Sequence, residues 1–276
     1  MNFSSYIKII RPINSFIVFI SVFVSAVMID KSFENFKLIF FASSAAFFFS
    51  SAAMVINDYF DCKIDKINRP NRPIASGKIS KDKAIIYFII LNLIALIFNF
   101  QLPGETMIIG IVSAIIIYFY SKKFKKEFLI GNIIVAFMTG LTFIYGGSIS
   151  GFKIDLLIPF SFAFLIMLSR EIIKTIEDFD GDSKNNVNSI AIKIGKRNSA
   201  FVAKILLTLL FISDNYFYFN QGFSFNYFLI VNLTVNLAIL ISIFMVTEKN
   251  NFKYLRLSSN CLKYSLFGGV VALFLK

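Results

Sequence analysis

The chain is built from long apolar runs, each close to the roughly 20 residues that an α-helix needs to cross the hydrocarbon core of a bilayer. About nine can be read, at 14–30, 36–57, 84–101, 105–120, 128–147, 154–173, 200–219, 226–246 and 257–275. Inside lipid no water is available to bond the peptide groups, so runs of this length fold as helices. The 57% hydrophobic content and 36 phenylalanines lie well outside the mix of a soluble domain. Nothing in the chain reads as strand. The predicted fold is all-α: a polytopic membrane protein, a bundle of about nine transmembrane helices with a cytoplasmic polar cap, forming one domain over residues 1–276.

The net charge of +12 would suit a nucleic-acid binder, but its placement points elsewhere. With nine spans, one side carries Lys8, Arg11 and the basic residues between 63 and 83, 122 and 126, 184 and 197, and 249 and 256. The other side keeps Lys31, Lys37, Lys153 and Lys276. That bias is the positive-inside signal and predicts a cytoplasmic N-terminus in a multi-pass cell-membrane protein. Part of the excess is thus topological, and part is available to anionic lipid headgroups or a phosphorylated substrate. No nucleic-acid partner and no obligate protein partner are expected. The first apolar run lacks a small-residue cleavage site and is read as the first span. Cys62 and Cys261 make no disulfide framework, and the absence of His removes imidazole as base, metal ligand or proximal haem ligand.

Two acidic stretches lie where apolar runs end: Asn57-Asp58-Tyr-Phe-Asp61-Cys-Lys-Ile-Asp65 and Thr175-Ile-Glu177-Asp178-Phe-Asp180-Gly-Asp182. By the positive-inside reading both face the cytoplasm. Spacings of three and four residues gather these side chains on one helix face, where like charges repel unless protons, basic groups or metal ions neutralise them. Charges at a membrane boundary are costly and mark a site by default. Magnesium takes hard oxygen donors, typically one or two carboxylates plus phosphates. Asn57, Asp58, Asp61 and Asp65 fit that demand, as do Asp178 and Asp182, with Glu171 and Lys174 a turn or two earlier. Solvated acidic helix ends are the plainer alternative. Arg69 and Arg72 follow closely in Arg69-Pro-Asn-Arg72-Pro and suit bidentate contact with phosphate oxygens. Lys122 follows Tyr118 and is a further phosphate candidate, whereas Lys123, Lys125 and Lys126 read as topological charge. Asn14, after Arg11-Pro12, is a candidate cavity residue.

The two regions also echo each other. Asp58, Asp61 and Asp65 match Thr175, Asp178 and Asp182 in spacing, and Ser76-Gly77-Lys78 is followed in kind by Ile194-Gly195-Lys196. A duplicated bundle with same-sense halves, two helix ends facing one cavity, would give this pattern.

Asn57-Asp58-x-x-Asp61-x-x-x-Asp65, with its Asn-Arg-Pro-Asn-Arg-Pro tail, Tyr118-x-x-x-Lys122 and Asp178-x-x-x-Asp182 together resemble the UbiA-type intramembrane prenyltransferases along nearly the whole chain. The resemblance implies a nine-helix bundle with a lateral opening to lipid and magnesium-dependent transfer of a prenyl group from its diphosphate. The run from Asp58 to Ser80 and Arg170-Glu171-Ile-Ile-Lys174 look most like the branch of archaeal digeranylgeranylglyceryl phosphate synthases. That branch joins a geranylgeranyl group from geranylgeranyl diphosphate to geranylgeranylglyceryl phosphate by an ether bond. Thr175 stands where relatives often carry Asp, leaving more of the metal work to Asp178 and Asp182.

As expectations, then, Mg2+ on both motifs and Arg69, Arg72, Lys122 and Lys174 grip the diphosphate. Tyr118 faces the allylic cation or bonds the diphosphate, and Glu171, Asp65 or the diphosphate takes the proton. Competing readings are an aromatic quinone precursor such as 4-hydroxybenzoate as acceptor, haem farnesylation, phosphatidyl-alcohol transfer, whose Asp-Gly-x-x-Ala-Arg run is missing, and a non-enzymatic transporter, which would place polar groups near the bilayer midplane.

Overall fold

Proline marks some of the helix boundaries of this chain, at Pro12, Pro70 and Pro103. The computed structural model describes residues 3–30, 34–184, 187–221, 223–246 and 252–275; Lys31, Lys249 and Lys276, used in the charge reading, lie outside the described residues. Among the described residues all regular structure is helical, as expected, and nine helices are long and apolar enough to cross a membrane. The α-helices, in chain order and including the short ones that are not spans by themselves, are α1 (Phe3–Ile9), α2 (Pro12–Ile29), α3 (Phe36–Asn68), α4 (Lys81–Asn99), α5 (Gly104–Lys122), α6 (Ile130–Gly147), α7 (Leu157–Glu177), α8 (Phe179–Lys184), α9 (Ile190–Gln221), α10 (Phe225–Val231), α11 (Leu237–Met245) and α12 (Phe252–Phe274). A π-helical turn, Asn232–Asn236, joins α10 to α11 into one span.

The nine spans pair one for one with the nine apolar runs, but several are longer. Most informative is α3, which continues through the whole first acidic motif to Asn68. It contains no Gly or Pro to stop it, and its 33 residues make a rod of about 50 Å. Hydrocarbon accounts for only about 30 Å of that, so apolarity fades while the helix persists. It ends before Arg69-Pro70: the proline ring disfavours helical backbone in the preceding residue, and Arg69 takes φ −146°, ψ 62°. The connections that the apolar runs leave between them at 58–83 and 174–199 are therefore shortened by helix at both ends.

The chain divides into two compact units, one running through Lys125 and taking in Thr142–Lys153, the other comprising Lys126–Leu141 and Ile154 onward. In the first, α3 packs against α2, α4 and α5. Val22, Ala26, Ile39, Ala42, Ala46 and Tyr145 form part of its core. In the second, α7 packs against α9 and α12. Each unit carries a glycine in the left-handed region at the echoed position: Gly77 at φ +75° ahead of α4, and Gly195 at φ +84° in a kink that divides α9. A side chain there would be strained. At the echoed position the two units thus share a glycine of positive φ, in the connection before α4 in one and inside α9 in the other.

In the second unit Gly268 of α12 sits directly against the π turn: a Cβ built there would lie 2.5 Å from the Thr234 Cβ, whereas one at the neighbouring Gly269 would make an ordinary 3.5 Å contact with Val235. Overpacking of this kind costs about 1–3 kcal/mol. Gly268→Ala is expected to lower the thermal unfolding midpoint in detergent, and Gly269→Ala to leave it within error; equal midpoints for the two variants would refute the close approach.

Candidate active site

On α3 the turn of the helix brings Asn57, Asp61 and Asp65 into one row, with Asp58 beside it. Asp58, Asp61 and Asp65 are all buried, at 2%, 6% and 4% exposure. Three carboxylates at that depth require counter-charge, and the first unit supplies it from three separate segments. Arg11 donates from Nη2 to Asp58 Oδ1 at 2.5 Å. One nitrogen of Arg72, Nη1, lies 3.1 Å from Asp58, 4.0 Å from Asp61 and 2.6 Å from Asp65. The Lys125 ammonium pairs with Asp61 and donates to Asn57 Oδ1 at 2.8 Å.

Each of these cations is placed by local structure. Arg11 occupies the left-handed region, φ 48° and ψ 67°, immediately before Pro12 opens α2. Burial lowers its pKa from the ordinary arginine value; Asp58 opposes this and the nearby Arg72 and Arg69 add to it. Arg72 rides on a loop that Ile74 and Ile79 pin into a core with Val55, Cys62 and Leu91. Burying each such side chain is worth about 1.5–3 kcal/mol. Backbone bonds from Arg72 N–H to Arg69 C=O (3.0 Å) and from Ile79 N–H to Pro73 C=O (3.0 Å) complete the loop. Lys125 belongs to a single turn of 3₁₀ helix, Phe124–Lys126, just after α5.

Tyr118, near the end of α5, lies edge-on to Phe60, the residue next to Asp61, with ring centroids 6.1 Å apart. Lys122 is exposed and its Nζ stands 5.8 Å from the Tyr118 ring, so Lys125 rather than Lys122 is the lysine that reaches the acidic row. Arg69 is half-buried at the helix end, its N–H bonded to Asp65 C=O at 2.8 Å. Asn14 is half-buried in the first turn of α2, its N–H bonded to Arg11 C=O at 2.8 Å.

The second motif is arranged differently. Asp178 closes α7, and Asp182 N–H bonds Asp178 C=O at 2.9 Å, which keeps helical spacing into α8. Asp180 is exposed and faces Lys196 at 3.5 Å. Thr175 turns its hydroxyl back to Ile172 C=O at 2.7 Å, so this position supplies no carboxylate. Two turns before Asp178, the buried Glu171 accepts from Lys174 at 2.8 and 2.9 Å and from Arg170 at 2.9 Å, while Arg170 Nε also holds Ser259 C=O at 3.0 Å. Glu171 and Lys174, predicted as base and phosphate ligand, thus form one ion pair.

The oxygen donors Asn57, Asp58, Asp61 and Asp65 suit a hard ion such as magnesium. Among the described residues, however, no group of three or more acidic or thiol side chains converges on one point as a ready-made metal cage. The oxygens are turned towards guanidinium and ammonium groups instead. Arg11 and Lys125 were not singled out as site residues in the sequence; Arg11-Pro12 ahead of Asn14 was the only local signal for the first. Five residues, 122–126, include four lysines and gave none for the second.

A protein-family model described as "UbiA prenyltransferase family" matches residues 18–261. A digeranylgeranylglyceryl phosphate synthase of Methanosphaera stadtmanae is 38% identical over 227 residues, 82% of each chain. A solved structure concerned with digeranylgeranylglyceryl phosphate synthase in membranes superposes with a TM-score of 0.75 at 29% identity, covering 99% of this chain and 97% of that one. A UbiA homolog from Archaeoglobus fulgidus, bound to GPP and Mg2+, superposes with a TM-score of 0.74 over 98% and 99% of the two chains; at 17% identity it speaks for the fold alone.

Removing one partner from a buried ion pair leaves the other charge stranded, at about 3–5 kcal/mol. Arg72→Ala is expected to lower the unfolding free energy by an amount in this range, and adding Asp65→Asn in the same chain to recover part of the loss. Strict additivity of the two changes in a double-mutant cycle would show that the contact contributes nothing.

Proposed function

Because this chain belongs to the UbiA prenyltransferase family, we propose that it transfers a geranylgeranyl group from geranylgeranyl diphosphate to the free glycerol hydroxyl of geranylgeranylglyceryl phosphate. This forms the second ether bond of archaeal membrane lipids. The observation that carries the reading is the row Asn57, Asp58, Asp61 and Asp65 held against Arg11, Arg72 and Lys125 at the end of a membrane-spanning helix. Carboxylates alone would suit a cation, and cations alone a phosphate; the two together suit a metal diphosphate. The names of the similar proteins support the choice of acceptor and donor.

In this reading residues 1–276 form a single transmembrane prenyltransferase domain in the cell membrane, with the N-terminus and both acidic motifs on the cytoplasmic side. Mg2+, held by Asn57, Asp58, Asp61 and Asp65 and by Asp178 and Asp182, would supply charge neutralisation on the leaving diphosphate. Arg69 and Arg72 present planar forks to its oxygens, and Lys122 and Lys174 present point charges. The electrostatic task is large, because a glycerol hydroxyl is a weak nucleophile and needs an allylic carbon already far towards a cation. The Tyr118 ring face can stabilise that positive charge, and the surrounding Phe60 and Phe88 keep the ring in place. In the transfer the allylic carbon–oxygen bond breaks, diphosphate departs with the electron pair, and the glycerol oxygen forms the ether. The hydroxyl proton leaves to one of three oxygen bases, Glu171, Asp65 or the diphosphate. Asn14 lies beside Arg11 at the start of α2 and is proposed to line the substrate cavity.

Purified protein in detergent, given magnesium, geranylgeranyl diphosphate and geranylgeranylglyceryl phosphate, is expected to yield the double ether by mass spectrometry, and EDTA to abolish it. With 4-hydroxybenzoate as sole acceptor no product is expected; product from that tube only would overturn the acceptor while keeping the family chemistry. Asp61→Asn and Asp182→Asn are each expected to lower turnover about 100-fold or more, and folded variants with near-normal turnover would exclude the two motifs from the reaction.

A further inference from the structure

Of the two cations that approach Asp61, Lys125 is held differently from Arg72. Arg72 is fixed by a loop whose isoleucines are buried in the core of the unit. Lys125 reaches in from a single turn of 3₁₀ helix, and its side chain is 32% exposed against 8% for the Asp61 side chain. Its ammonium bridges Asn57 and Asp61, two oxygen donors one helical turn apart. Those are donors that a magnesium ion would take. A lysine head group is a compact charge on a flexible four-carbon stem, so it can withdraw without disturbing the helix beneath it.

Resting on the function proposed above, we infer that Lys125 is a tethered counter-cation: it holds Asn57 and Asp61 in the substrate-free protein, yields them to the divalent ion, and then places its charge on a diphosphate oxygen. The geometry requires the exchange: an ion that takes Asn57 and Asp61 meets oxygens that the Lys125 ammonium already holds. Displaced by an ion alone, Lys125 leaves its own charge and the ion's side by side, and like charges disfavour each other. Diphosphate arriving with the ion offers Lys125 a new partner. Lys125 thus makes ion and diphosphate bind together.

The test reads binding, not turnover. Mn2+ serves as an oxygen-seeking substitute for magnesium, and its binding to purified protein in detergent is followed by electron paramagnetic resonance. Lys125→Met is expected to bind Mn2+ alone about tenfold more tightly than the wild type, and to bind radiolabelled inorganic diphosphate several-fold more weakly at saturating Mn2+. Lys125→Arg, which keeps the charge, should behave as the wild type in Mn2+ alone; Lys125→Gln repeats the measurement if the Met variant fails to fold. Asp61→Asn identifies the ion being measured. If Asp61→Asn loses that ion while Lys125→Met binds it no more tightly than the wild type, the role of Lys125 is overturned and the metal assignment stands. If Asp61→Asn retains the ion even with diphosphate present, the metal assignment falls and the inference falls with it.

Discussion

Three carboxylates on one face of one helix, buried where lipid gives way to the polar boundary, impose the strongest demand in this protein. Left uncompensated, Asp58, Asp61 and Asp65 would drive the end of α3 into water or force protons onto themselves. The first unit instead folds so as to bring a cation to each. The αL backbone at Arg11, the pinned loop carrying Arg72 and the turn carrying Lys125 have little in common locally. They make sense as three routes to the same row of oxygens. The second unit meets a smaller demand more simply, with Glu171 flanked on its own helix by Arg170 and Lys174.

Much of the fold was legible because a bilayer allows a chain few options. Apolar runs of the right length matched all nine spans in order, since a run of about 20 residues spans lipid as a helix, whereas a spanning strand is about half as long and needs a closed barrel. What hydropathy could not register was helix that continues past the lipid. Residues 58–68 include three aspartates, two lysines and an asparagine yet remain in α3, because nothing before Pro70 interrupts the hydrogen-bond ladder. The acidic row was legible for the same local reason: spacings of three and four are properties of one helix. The cations that meet it were not. Arg11 lies 47 positions from Asp58 and Lys125 lies 64 from Asp61, so their contacts belong to packing rather than periodicity. Lys122 looked the better candidate by its distance from Tyr118, but α5 ends there and the chain turns once more before a lysine reaches α3.

The echo between the halves was also partly readable. Gly77 and Gly195 share a sequence setting and prove to share a left-handed backbone. The departures are as instructive. Asp58 is matched by Thr175, whose hydroxyl is spent on its own helix, and the unbroken α3 is matched by an α7 that ends at Glu177 and resumes as the short α8. Two motifs with one spacing have therefore been built to different stiffness, one on a continuous rod and one across a helix junction.

The continuity of α3 has a consequence for how such a protein can diversify. Its acidic residues are separated by fixed steps of helix, so their mutual distances are inherited from backbone geometry and cannot be tuned by small sequence changes nearby. Arg72 and Lys125 sit on short connecting segments, where insertion or replacement leaves the helix ladder untouched. A descendant chain that came to handle a different anionic head group would keep the rod and redraw the connections. In this architecture the rigid part is a ruler, and the adjustable part is whatever reaches across to it.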